Sequence, residues 1–74
     1  MNALRVLGRT GDSEFNWNPD TGEGVESARR EFEEKMRRGY LAFVEAPNGE
    51  GSNRIRSFDP RAGSIILTPR LVGG

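Results

Sequence analysis

The chain has 74 residues, enough for one small domain and well short of the length at which chains divide in two. Hydrophobic residues make up 34% and charged residues 30%, and eleven Lys plus Arg balance eleven Asp plus Glu, so one modest core without the strongly basic footprint of a dedicated nucleic-acid binder is expected. Cysteine and histidine are both absent, which removes disulfides, a thiolate nucleophile, Cys/His zinc sites and the commonest general base, and makes catalysis by this chain alone an unpromising reading.

Ala3-Leu4-Arg5-Val6-Leu7 alternates as a strand with Leu4 and Val6 facing inward, and residues 8–11 supply a turn. Glu14-Phe15-Asn16-Trp17 places Phe15 and Trp17 on one face of a second strand that ends before Pro19, completing a hairpin. Residues 18–24 are turn chemistry, with Asp20 and Glu23 spaced as a capping pair for a following helix. That helix spans about residues 23–38. Val25, Ala28, Phe32 and Met36 form its single apolar stripe, and Glu31–Lys35, Glu33–Arg37 and Glu34–Arg38 are acid-first i,i+4 pairs, each contributing roughly 0.2–0.5 kcal/mol. Gly39 supplies the left-handed stop.

Residues 40–44 read as a strand and residues 46–53 as a turn or loop. Residues 54–58 resume as a strand, but Ile55 and Phe58 differ in parity, so this strand must bend, bulge or stop before the tight turn Asp59-Pro60-Arg61-Ala62-Gly63. The last strand covers residues 64–68, and Pro69, with no N–H to donate, marks an edge or the point where the strand leaves the sheet. The order strand, strand, helix, strand, strand, strand predicts an α+β domain, a mixed sheet packed on one amphipathic helix. No repeat, low-complexity tract or interdomain linker interrupts it. The longest apolar run is residues 40–44, too short to span a bilayer, and the amino terminus lacks a basic-then-apolar leader pattern, so a cytoplasmic protein without membrane contact is expected.

Several clusters invite a chemical reading. Arg54 and Arg56 alternate along a strand, near Arg70 if the last strand pairs alongside, and form a basic face for an acidic or phosphate-bearing partner or an ordinary solvated face. No aromatic stacking partner for nucleic acid accompanies them. Phe15 with Trp17 offers a ligand shelf but at strand spacing belongs to the core, as Phe32 and Met36 do. Glu31, Glu33 and Glu34 diverge around a helix among basic neighbours, which makes a solvated face rather than a metal cluster. Gly8-Arg9-Thr10-Gly11 lacks the lysine and spacing of a phosphate loop.

The end of the chain carries the most information. Two residues without Cβ make a thin strip able to thread a narrow channel and place a carboxylate in another protein's active site. Ser64-Ile65-Ile66-Leu67-Thr68-Pro69-Arg70-Leu71-Val72-Gly73-Gly74 resembles the last strand and tail of ubiquitin-like proteins, with Leu67, Arg70, Leu71, Gly73 and Gly74 at matching spacings. In order and length nearly the whole chain resembles the β-grasp family, residues 1–69 forming the domain and 70–74 a flexible tail.

The resemblance implies a protein modifier that is not itself an enzyme. The carboxylate of Gly74 is adenylated by an activating enzyme that uses ATP and Mg, passed to a thiol, and joined to an amine of a target protein. The modifier binds no cofactor of its own. By the same resemblance Gly73 gives access, and Arg70, Leu71 and Val72 are the tail read by activating and conjugating enzymes, with a deconjugating protease as a further partner. Pro69 and the glycine-bearing entry at 18–24 depart from the eukaryotic proteins, so the partner enzymes are expected to differ too. Short length, arginine bias and the lack of an extension past Gly74 suggest a bacterial type.

Lys35 is the only lysine, so isopeptide-linked chains grow from Lys35 or from the amino terminus, and single attachment is expected over long chains. Two other functions fit the same sequence. A sulfur carrier would convert the same carboxylate to a thiocarboxylate for biosynthesis. A non-covalent interaction module would use the folded surface and leave Gly73 and Gly74 as a frayed end.

Overall fold

Residues 1–8, 11–45 and 51–69 are described by the computed structural model of the chain. The expected turn at 8–11 and loop at 46–53 lie partly, and the tail residues Arg70, Leu71, Val72, Gly73 and Gly74 wholly, outside the described residues. The elements run β1 (Asn2–Val6), β2 (Ser13–Trp17), α1 (Val25–Arg37), β3 (Leu41–Glu45), β4 (Ser52–Ile55) and β5 (Ser64–Thr68). The fold is α+β, with one helix packed on a mixed five-stranded sheet of order β2-β1-β5-β3-β4.

The sheet is two antiparallel hairpins, β1–β2 and β3–β4, joined through β5, which runs parallel to β1 and antiparallel to β3. A sheet that is closed by a parallel pair at its centre needs a long connection, and the helix occupies it. Side-chain parity then fixes the faces. Leu4 and Val6, Ala42, and Ile65 and Leu67 point to the helix side and are buried there with Ala28 and Phe32 of α1. Val25 and Met36 complete the stripe as half-buried flanks.

The two ends of α1 are made differently. Gly39 adopts φ +90°, its N–H donates to the Met36 carbonyl at 3.1 Å, and the Tyr40 N–H reaches back to the Lys35 carbonyl at 3.0 Å, so the expected glycine stop forms as a Schellman turn. The expected Asp20–Glu23 capping pair does not form. The helix begins two residues later, at Val25, with Gly24 as its N-cap and no side-chain cap. Asn18 organises the entry instead: its Oδ1 accepts from the Asp20 N–H at 2.9 Å and its carbonyl from the Gly22 N–H at 2.8 Å. Thr21 Oγ1 accepts from the Glu23 N–H at 3.2 Å, so the residue that would have closed a capping box is held in the preceding turn.

β4 is displaced from the expected 54–58: it begins at Ser52, inside the span expected as loop, and stops at Ile55, one of the outcomes the parity conflict left open, after which the chain bends at Arg56 and Ser57. Phe58 then turns into the core, its ring 5.1 Å from Trp17 and 5.9 Å from Phe32. The following turn is closed by Asp59, whose Oδ1 accepts from the Arg61 N–H and whose carbonyl accepts from the Ala62 N–H. Its Pro60 carbonyl accepts from Trp17 Nε1–H at 2.8 Å and Asn2 Nδ2–H at 3.1 Å, tying the turn to the amino-terminal hairpin. β5 leaves this turn as a central strand, and Pro69 sits just past its last residue, which settles its role as an exit residue. Among the described residues no helix is long and apolar enough to cross a membrane.

Candidate functional site

The strand registers bring several chain ends to one end of the sheet. Leu41, the first residue of β3, lies opposite Thr68, the last of β5, and Ala42 lies opposite both Leu67 and Ile55 near the end of β4. The Leu7 N–H, just past β1, donates to the Leu67 carbonyl at 2.9 Å, and the carboxyl end of α1 enters β3 through Gly39 and Tyr40. Pro69 therefore leaves the sheet at the end shared by the helix terminus, the start of β3 and the end of β4. Pairing on both sides of β5 holds this exit in place.

The outward faces of the strands form one cross-strand row, Glu14, Arg5, Ile66, Phe43 and Arg54, in the order β2-β1-β5-β3-β4. Its edges are charged, with Arg5 and Glu14 3.5 Å apart, and its centre is the half-buried pair Phe43 and Ile66 on the face away from the helix. Sequence reading missed this pair. Residues 40–44 and 65–67 are continuous apolar runs, and a run has no parity until its neighbours are known; the register alone shows which members face outward.

The two arginines expected on one basic face are separated. Arg54 lies opposite Phe43 on the open face, whereas Arg56 follows the end of β4 and lines a groove on the helix side with Glu33, Met36 and Arg37. The strand ends one residue too early for alternation to carry Arg54 and Arg56 to the same side.

Compared with protein-family models, with curated proteins and with solved structures, the chain matches none of them.

Lys35 is engaged in the fold. Its Nζ lies 2.7 Å from Glu31 Oε2 and 5.9 Å from the centroid of the Tyr40 ring, and its side chain is 16% exposed. To attack an acyl carbon the amine must leave both contacts, each worth roughly 0.5–1 kcal/mol at a partly exposed position. These are the contacts that hold the amine named from sequence as one acceptor beside the amino terminus. Acylation of Lys35 by an N-hydroxysuccinimide ester, followed by mass spectrometry, should run about two- to fivefold slower in the native chain than in Glu31→Gln. Equal rates would show that the contacts do not restrain the amine.

Of the other expected i,i+4 pairs, Glu34–Arg38 forms at 3.1 Å, while no Glu33–Arg37 pair forms. Among the described residues no group of three or more acidic, His or Cys side chains is placed to hold a metal ion.

Proposed function

We propose that the chain is a ubiquitin-like protein of the β-grasp fold, whose Gly74 carboxylate is activated and joined to amines of target proteins. The observation that supports this reading most directly is topological. β5, the strand that runs into Pro69 and on to Arg70, Leu71, Val72, Gly73 and Gly74, is the central strand of the order β2-β1-β5-β3-β4, paired to β1 on one side and β3 on the other. A tail that other proteins must grasp and pull into a catalytic channel needs such an anchor, because force on it is resisted by two ladders rather than by one edge.

The division of labour follows from the side chains present. A carboxylate is a poor electrophile until one oxygen joins a good leaving group. In the activating enzyme a Gly74 carboxylate oxygen attacks the α-phosphorus of ATP and pyrophosphate departs. A thiolate then displaces AMP to give a thioester, and a target amine attacks the thioester carbonyl and releases the thiol. The modifier supplies reach and recognition: Gly73 lets the tail pass a narrow channel, and Arg70, Leu71 and Val72 give the partner enzymes contacts to read. On this reading the chain is not an enzyme, and ATP and Mg belong to its activating partner.

The test is addition of amino-terminally tagged chain to lysate of the source organism with Mg and ATP. Covalent adducts of higher mass are expected with the full chain, with at least a tenfold loss when Gly74 is removed. Identical band patterns would overturn conjugation. Oxygen-to-sulfur exchange at the terminus, seen by mass spectrometry after incubation with the activating enzyme, Mg, ATP and a sulfur donor that displaces AMP from the adenylate, and without adducts, would move the chain to the sulfur carriers.

A further inference from the structure

A groove of 510 Å³ runs between the carboxyl-terminal half of α1 and the bend that follows β4. Its apolar lining is Met36 and Phe58, both half-buried, with the buried Phe32. Phe58 is braced by Trp17 and Phe32, so one wall is rigid, while Met36 supplies a side chain that adapts to what lies against it.

The rim is charged in an unbalanced way. Arg37 and Arg56 stand on it with a single carboxylate, Glu33, and none of the three takes part in an ion pair among the described residues. This contrasts with Lys35, Arg29, Arg30 and Arg38, all of which have helical acidic partners. Glu33 and Arg37 are spaced to pair with each other and do not. An apolar floor beside two guanidinium groups that no carboxylate of the described residues pairs suits an occupant that brings both an apolar anchor and negative charge.

We propose that this groove is a docking site for a short acidic peptide segment of a partner protein, with a bulky apolar residue inserted between Met36 and Phe58 and adjacent carboxylates on Arg37 and Arg56. Glu33 opposes the ligand's charge and tunes the affinity downward. The site lies on the helix side of the sheet, away from the Phe43–Ile66 row, and its occupation requires no chemistry at Gly74. It therefore stands or falls independently of conjugation.

The experiment is titration of the ¹⁵N-labelled full chain with a short blocked peptide carrying Leu-Phe followed by Asp-Asp-Glu. Controls are the same peptide with Asn-Asn-Gln in place of the acids and with Ser-Ser in place of the anchor. Expected are saturable shifts of the amides of Glu33, Met36, Arg37, Arg56 and Ser57, affinity reduced about tenfold for either control and falling with added salt. Arg56→Glu should weaken binding about three- to tenfold, and Glu33→Gln should strengthen it about two- to threefold. The peptide controls and salt series read the same interaction on the unaltered chain.

Absence of shifts at millimolar peptide, shifts centred on Phe43 and Ile66, or equal binding of the uncharged peptide would overturn the proposal. A single-stranded oligonucleotide that shifts the same amides as strongly would also overturn it, because charge alone would then account for the site.

Discussion

Gly24→Ala should lower stability by about 3 kcal/mol and the thermal midpoint by about 12–24 °C, whereas Gly39→Ala should cost only about 1 kcal/mol. Both glycines have left-handed backbone, at φ +82° and +90°, so an L side chain is strained at either. The difference is space. A Cβ on Gly39 meets nothing within 4 Å, while a Cβ on Gly24 would stand 2.4 Å from the Asn16 carbonyl oxygen and 3.1 Å from Trp17 Cα. Those are backbone atoms of β2, which cannot rotate away. The start of α1 must therefore lift from the sheet, and Ala28 and Phe32, buried on the next two turns, would lose packing with it. Urea melts followed by the fluorescence of Trp17, the only tryptophan, measure both variants. Equal losses for the two would show that conformational strain acts alone and that close approach contributes nothing.

The same region shows where sequence reading reaches and where it stops. The helix stripe at 25, 28, 32 and 36 and the bounds of β5 were legible because periodicity and proline punctuation are local properties of the chain. The helix start was not. Asp20 and Glu23 had the spacing of a capping box, yet Asn18 and Thr21 accept from the turn's N–H groups, and the N-cap is Gly24, which lies too close to Asn16 of β2 for a side chain. Arg54 and Arg56 failed as a pair for a related reason. Alternation holds only inside a strand, and the inward pull of Phe58 on Trp17 and Phe32 ends β4 at Ile55. The Phe43–Ile66 pair shows a third limit, since apolar runs in central strands say that a strand is covered and not which residues face which layer.

Trp17→Phe should cost about 2–3 kcal/mol, and unevenly. The indole is fully buried, stacks at a tilt on Phe58, and donates Nε1–H to the Pro60 carbonyl at 2.8 Å. Phenylalanine leaves a partial cavity, about 1–2 kcal/mol, and removes one hydrogen bond of about 1 kcal/mol; Asn2 still donates to the same oxygen at 3.1 Å. Asn2→Ala, which removes only the longer of the two hydrogen bonds, should cost about 0.5–1 kcal/mol. The clamp holds the turn that precedes β5, so its loss acts first at the start of that strand. In Trp17→Phe, hydrogen exchange should quicken most at Ala62 and at Ala3, whose N–H donates to the Gly63 carbonyl. The Leu7 amide, bonded to the Leu67 carbonyl at the other end of β5, should keep more of its protection. That gradient would mean the tail-bearing end is anchored by the strand ladders while the turn is held by a side chain. Uniform acceleration at all three amides would show instead that Trp17 acts only through the shared core, and that the Pro60 contact adds no local restraint.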